Sequence, residues 1–81
     1  MSLAAAAGLL GVLLILIAYG AGALGKLAST HPAALSLNLV GAGLILVSLV
    51  EDFNLPAFVM ESLWALVALI GLARWAFRPR P

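Results

Sequence analysis

The feature that most constrains this chain is an uncharged apolar run from Ala4 to Leu24, 21 residues long. A helix needs about 20 mostly apolar residues to cross a hydrocarbon layer roughly 30 Å thick. Two further runs have the same character: Ala33 to Val50, 18 residues without a charge, and Pro56 to Trp75, 20 residues interrupted by Glu61 and Arg74. The pattern predicts an all-α, integral membrane three-helix unit, with helices at about 4–24, 33–50 and 56–75 in a single transmembrane domain spanning 1–81. Composition agrees, because 65% of the residues are hydrophobic and 9% charged, against roughly 45–50% and about 25% in soluble domains. A chain this short could not bury that much apolar surface in water. The first run exceeds the roughly 7–15 apolar residues of a signal peptide and no basic residue precedes it, so it is expected to be retained as a helix. There is no cysteine, which excludes disulfides, thiolate metal sites and cysteine nucleophiles and leaves the redox compartment open.

Charge placement predicts orientation. Three crossings put the Lys26 loop and the C-terminal tail on one side, and the N-terminus and the Glu51-Asp52 turn on the other. All four basic side chains, Lys26, Arg74, Arg78 and Arg80, then act as topology anchors on one face. The positive-inside rule makes that face cytoplasmic, so the expected topology is N-out and C-in, with Trp75 and Phe77 in an interfacial aromatic belt. The arginine tail should attract anionic headgroups. Broken by Pro79 and Pro81, it does not form a nucleic-acid-binding patch.

Between the runs, Gly25 is suited to ending a helix, Ser29 and Thr30 to a turn, and Pro32 to a helix's first turn. Glu51-Asp52-Phe53-Asn54 leaves only a tight turn before Leu55-Pro56, so the second and third helices should form an antiparallel hairpin. Small residues recur at helical spacing: Ala4, Ala7, Gly8, Gly11, Ala18 and Gly22 in the first span, and Ala57, Ala65, Ala68 and Gly71 in the third. They mark faces where backbones can approach closely, the main basis of helix association in lipid. In the second span, Asn38, Gly41, Ala42, Ile45 and Ser48 share a small, polar face expected to turn toward protein.

The intramembrane polar residues Tyr19, Asn38, Ser48 and Glu61 are the candidates for chemistry. Tyr19 lies five residues before Leu24 and Asn38 five after Ala33. The two should therefore share a depth and hydrogen-bond each other, since an unpaired amide in hydrocarbon is costly. Glu61 is the most informative, because an acid inside a span is rare and functional by default. It lies five residues past Pro56, roughly 7–8 Å along a helix. Two readings apply to it: a carboxyl group bonded to Ser48, Ser62 or a backbone carbonyl, or reaching the outer headgroups; and a proton or cation site, or a contact with a partner subunit. Trp64, three residues on, shares its side of the helix and is read as packing. His31 is read as a solvated loop residue, and Glu51 and Asp52 as a solvated cap on the other side. No second histidine gives metal-ligand spacing, and no nucleophile-base set, phosphate loop or carboxylate pair is apparent. The chain is expected to be no enzyme and to carry no metal or cofactor.

Asn38-Leu39-Val40-Gly41-Ala42, Ser48-Leu49, Asp52 to Val59, Glu61, Trp64, Gly71-Leu72 and Arg74, preceded by Ala18-Tyr19-Gly20, form a pattern over nearly the whole chain. It resembles an uncharacterised family of small bacterial three-helix membrane domains, the CBU-type hypothetical or permease-like proteins. The Asn54-Leu55-Pro56 turn followed by Trp64 is the most specific part. The resemblance implies a bacterial cytoplasmic (inner) membrane and no particular activity. A weaker likeness, carried by Pro56 and Glu61, is to half-size sugar transporters of the SemiSWEET/PQ-loop type; the Pro-Gln hinge of their first helix is missing, and Glu61 stands where they have Asn.

The expected function is that of a non-enzymatic small membrane protein acting through helix packing, either as a homo-oligomer or as an accessory subunit of a larger membrane complex. Its partners would be the lipid bilayer and other helices, with no nucleic acid. The alternative is a homodimeric half-transporter for a small solute or protons, with a path lined by Asn38, Trp64 and Glu61 and with Glu61 as the ion or proton site.

Overall fold

The computed structural model describes residues 1–79 and is all-α, with no strand among those residues. Its elements are α1 (Leu3–Ala23), α2 (Pro32–Ser48) and α3 (Leu55–Phe77). Each helix starts on a side-chain cap that accepts one of the N–H groups left unpaired at a helix N-terminus. The Ser2 hydroxyl accepts from Ala5 N–H, the Asn54 carbonyl oxygen from Ala57 N–H, and His31 Nδ1 from Ala33 N–H, each at 3.0 Å. Pro32 and Pro56 fall within the first two positions of their helices, where a missing N–H costs nothing. Phe53, just before the Asn54 cap, packs on Phe58 with ring centroids 5.6 Å apart, a hydrophobic staple that fixes how the chain enters α3.

α1 ends in a Schellman motif. Gly25 adopts φ 72°, the left-handed region open to glycine, while Lys26 N–H reaches Ala21 C=O at 2.9 Å and Gly25 N–H reaches Gly22 C=O at 3.0 Å. α2 stops at Ser48 rather than Val50. The Ser48 hydroxyl donates to Ile45 C=O at 2.6 Å, and Val50 N–H bonds Val47 C=O at 3.2 Å, so the chain tightens from α-helical into turn bonding.

α2 is the middle element. It packs against both neighbours, whereas α1 and α3 have no Cα pair within 8 Å of one another. Small residues form the contact. Gly8, Gly11 and Ala18 of α1, Ala34, Gly41 and Ala42 of α2, and Ala68 of α3 are the buried helical positions, and no large side chain is fully buried. The larger apolar side chains, among them Leu16, Val40, Leu63, Val67 and Ile70, point outward. This distribution is the reverse of a water-soluble core, where large apolar residues are inside. It matches association in lipid, where close backbone approach replaces the hydrophobic effect as the driving force.

The tightest point is the crossing of Gly11 and Gly41. A Cβ added at Gly11 would collide with the Gly41 carbonyl oxygen and come within 3.0 Å of Leu44 and Ile45; one added at Gly41 would come within 2.7 Å of the Gly11 carbonyl and of Ile15. Gly8 faces Ser48 in the same way, at 2.7 Å. Along α3 the fit is looser: a Cβ at Gly71 would meet only the flexible end of Leu35, at 3.1 Å. Gly43 has nothing within 4 Å.

Gly11→Ala and Gly41→Ala are each expected to destabilise the α1–α2 pair by about 1–3 kcal/mol, the usual cost of overpacking. Gly43→Ala should be neutral or stabilising by up to about 1 kcal/mol through helix propensity. Unfolding titrations in mixed micelles test this, and equal stability of Gly11→Ala and Gly43→Ala would contradict the crossing.

Candidate functional site

Of the polar residues inside the helices, Tyr19 lies on α1, Asn38 and Ser48 on α2, and Glu61 and Trp64 on α3. Asn38, half-buried, spends one amide hydrogen on Ala34 C=O at 3.0 Å, one turn back in its own helix. Its carbonyl oxygen accepts from the Trp64 indole Nε1–H of α3 at 3.1 Å. This bond is the one side chain to side chain link between α2 and α3 among the described residues. It satisfies an indole donor and an amide acceptor that hydrocarbon would leave costly. One amide hydrogen of Asn38 remains for a further acceptor.

The expected Tyr19–Asn38 bond is therefore not formed. Tyr19 lines the same groove as Asn38 but is 71% exposed, and Asn38 turns instead toward α3. The two residues line one groove, and the direction around the helix axis decides the partner. Trp64 is more than packing, since its indole supplies the donor.

Ser48 does not reach Glu61. Its hydroxyl is committed to Ile45 C=O, and it lies against Gly8 of α1. The Glu61 carboxyl has one oxygen, Oε1, that is shut away from solvent without a hydrogen-bond partner among the described residues. The expected bonds from Ser48 or Ser62 are thus absent at that atom. A buried carboxyl oxygen without a donor is the feature that most needs an explanation in this structure.

Two shallow grooves meet at the Asn38–Trp64 bond. One, of about 470 Å³, lies beside α1 and is lined by Ala18, Tyr19, Gly22, Leu27 and Ala34 as well as the bonded pair. The other, of about 590 Å³, runs between α2 and α3 past Leu35, Met60, Leu63 and Val67. No charged side chain lines either, and Glu61 belongs to neither.

The charged residues separate by end. Glu51 and Asp52 occupy the α2–α3 turn, where the Ser2 hydroxyl donates to Glu51 Oε1 at 2.6 Å and ties the start of α1 to that turn. Glu51 is therefore engaged rather than simply solvated. Ser2, a serine immediately before an apolar run, carries a helix-cap signal in the sequence, and His31 before Pro32 carries another. Arg74 and Arg78 lie at the opposite end, where the α1–α2 loop meets the close of α3. Lys26 is exposed in that loop, and Arg80 lies outside the described residues. Among the described residues, no group of three or more His, Cys, Asp or Glu is placed to hold a metal ion.

Three helices, of which α1 and α3 are long and apolar enough to cross a membrane, with a polar contact between α2 and α3, define a small helical chain of membrane-like composition. A family model matches residues 4–80, and the chain belongs to that family, which is uncharacterised. Neither the curated proteins nor the solved structures gave a match.

The Asn38–Trp64 bond predicts a coupling energy of about 0.6 kcal/mol, with an upper bound near 1.7, the range measured for interhelical bonds in membranes. A double-mutant cycle with Asn38→Leu and Trp64→Phe measures it, and a Tyr19→Phe, Asn38→Leu cycle should show no coupling. Strictly additive effects for Asn38 and Trp64 would remove the bond from the account.

Proposed function

We propose that this protein is a multi-pass protein of the bacterial cytoplasmic membrane, N-out and C-in, that acts without enzymatic chemistry as a packing unit: a homo-oligomer or an accessory subunit of a larger membrane complex. α2 and α3 form its antiparallel hairpin; Leu35 meets Gly71 and Asn38 meets Trp64, so the pairing order reverses from one helix to the other. α2, with 17 residues, is at the short end of the roughly 17–25 that span a bilayer, and its flanking turns complete the crossing.

The observation that carries this reading is the one-sided engagement of the outer helices. α3 buries only Ala68 and has no Cα within 8 Å of α1, so both leave most of their surface for lipid or for other helices. Helix association in lipid works through such faces.

The half-transporter reading has one observation in its favour, the unpartnered Oε1 of Glu61. An acid held that way inside a span suits a proton or cation site, or a donor supplied by a second chain.

The absence of cysteine makes single-cysteine labelling clean. Asp52→Cys should react with an impermeant maleimide on intact cells or spheroplasts, and Lys26→Cys only after permeabilisation; the reverse pattern would invert the topology. Purification from the native membrane should give a defined oligomer or a co-purifying complex that survives Glu61→Gln. Proton or solute flux in liposomes that disappears with Glu61→Gln would displace the packing reading in favour of transport.

A further inference from the structure

We propose that the furrow between the α1–α2 loop, the start of α2 and the C-terminal half of α3 is a binding site for one anionic phospholipid, with the phosphate held by Arg74 and Arg78. The site is assembled from cavities that share walls. One, of about 370 Å³, lies among His31, Pro32, Trp75 and Arg78. The next, of about 510 Å³, adds Arg74 and continues over Leu35, Val67 and Gly71, with Thr30, Trp75 and Arg78 common to both. Leu35 and Val67 then carry the surface on into the α2–α3 groove with Met60 and Leu63. The furrow is cationic at its mouth and apolar along its length.

That gradient selects the ligand. A free phosphate would use the mouth alone, whereas a phospholipid places its phosphate between the arginines and an acyl chain along Leu35, Val67 and Leu63. Arg74, in the last turn of α3, and Arg78, its C-cap, line the same cavity. Guanidinium groups are the donors best matched to a phosphate's paired oxygens. No ion pair occupies either arginine among the described residues; the acids Glu51 and Asp52 are in the turn at the far end, where Glu51 is bonded to Ser2. The N-terminus of α2 and the C-terminus of α3 both meet the mouth, so their dipoles offset and the arginines supply its positive charge. Basic pockets between helices at the cytoplasmic interface are where headgroup recognition is expected. Lys26, on the same end but outside the furrow, attracts the membrane surface in general and serves as the comparison.

The site rests on the membrane reading above, and two measurements keep them apart. Carbonate extraction tests the first: a protein released into the supernatant would overturn that reading and the furrow with it. Native mass spectrometry of the full chain in detergent, titrated with phosphatidylglycerol or phosphatidylcholine, tests the second. The wild type should hold one phosphatidylglycerol at least about tenfold more tightly than phosphatidylcholine. Arg74→Gln and Arg78→Gln should each weaken that binding about fivefold, the factor expected for losing one basic contact near an anionic surface, while Lys26→Gln leaves it within twofold of wild type, as a bystander cation should. Equal binding of the two lipids by the wild type, a measurement that needs no variant, would overturn the proposal, as would an equal loss in Lys26→Gln. Displacement of phosphatidylglycerol by equimolar inorganic phosphate would assign the furrow to a free anion and overturn the lipid.

Discussion

The close approach of the Gly11 and Gly41 backbones is the constraint on which the rest of the structure depends. With no side chain between them, α1 and α2 come near enough for Gly8 to meet Ser48 at one end while Ala18 and Ala34 are buried toward the other. In the membrane proposed above, two apolar helices have no hydrophobic reason to pair, so stability would come from dispersion over that contact and from the few polar bonds it allows. α2, placed by α1, then presents Asn38 and Leu35 to α3. The second interface is looser and more polar: a glycine against a mobile leucine, and one hydrogen bond to an indole.

Much of the architecture was legible in the sequence because the governing quantities are one-dimensional. Three apolar runs separated by Gly25 to Pro32 and by Glu51 to Asn54 define three helices, and the spacing of Gly8, Gly11 and Ala18 marks the face of α1 that is buried. Depth can be counted in residues, so placing Tyr19 and Asn38 at one level was sound. Their direction around the helix axis could not be counted. It depends on how far α2 rotates to seat Gly41 on Gly11, and that rotation turns Asn38 to Trp64.

Local competition also escaped the sequence. A serine near the end of a helix can satisfy itself on the carbonyl three residues back, as Ser48 does with Ile45, and so becomes unavailable to Glu61. His31 and Ser2 were legible in principle, since each stands immediately before a helix start, but a lone loop histidine and a terminal serine carry weak signals. Both prove to be caps, and Ser2 also engages Glu51. The Glu61 carboxyl is the reverse case. Its presence in a span was conspicuous from the sequence, and its lack of a donor needed coordinates.

The backbones of α1 and α3 each pack on α2 and have no Cα pair within 8 Å of one another, and this bears on how the protein is made. Under the membrane function proposed above, each helix entering a bilayer would find its backbone partner already there: α2 meets α1, and α3 meets α2. No helix waits for a later one to cover a committed face, and no early contact must open to admit a later element. Assembly can therefore follow synthesis from N- to C-terminus as two successive dockings, with the tighter glycine crossing formed first and the Ser2–Glu51 bond closing the first pair as soon as the turn after α2 emerges.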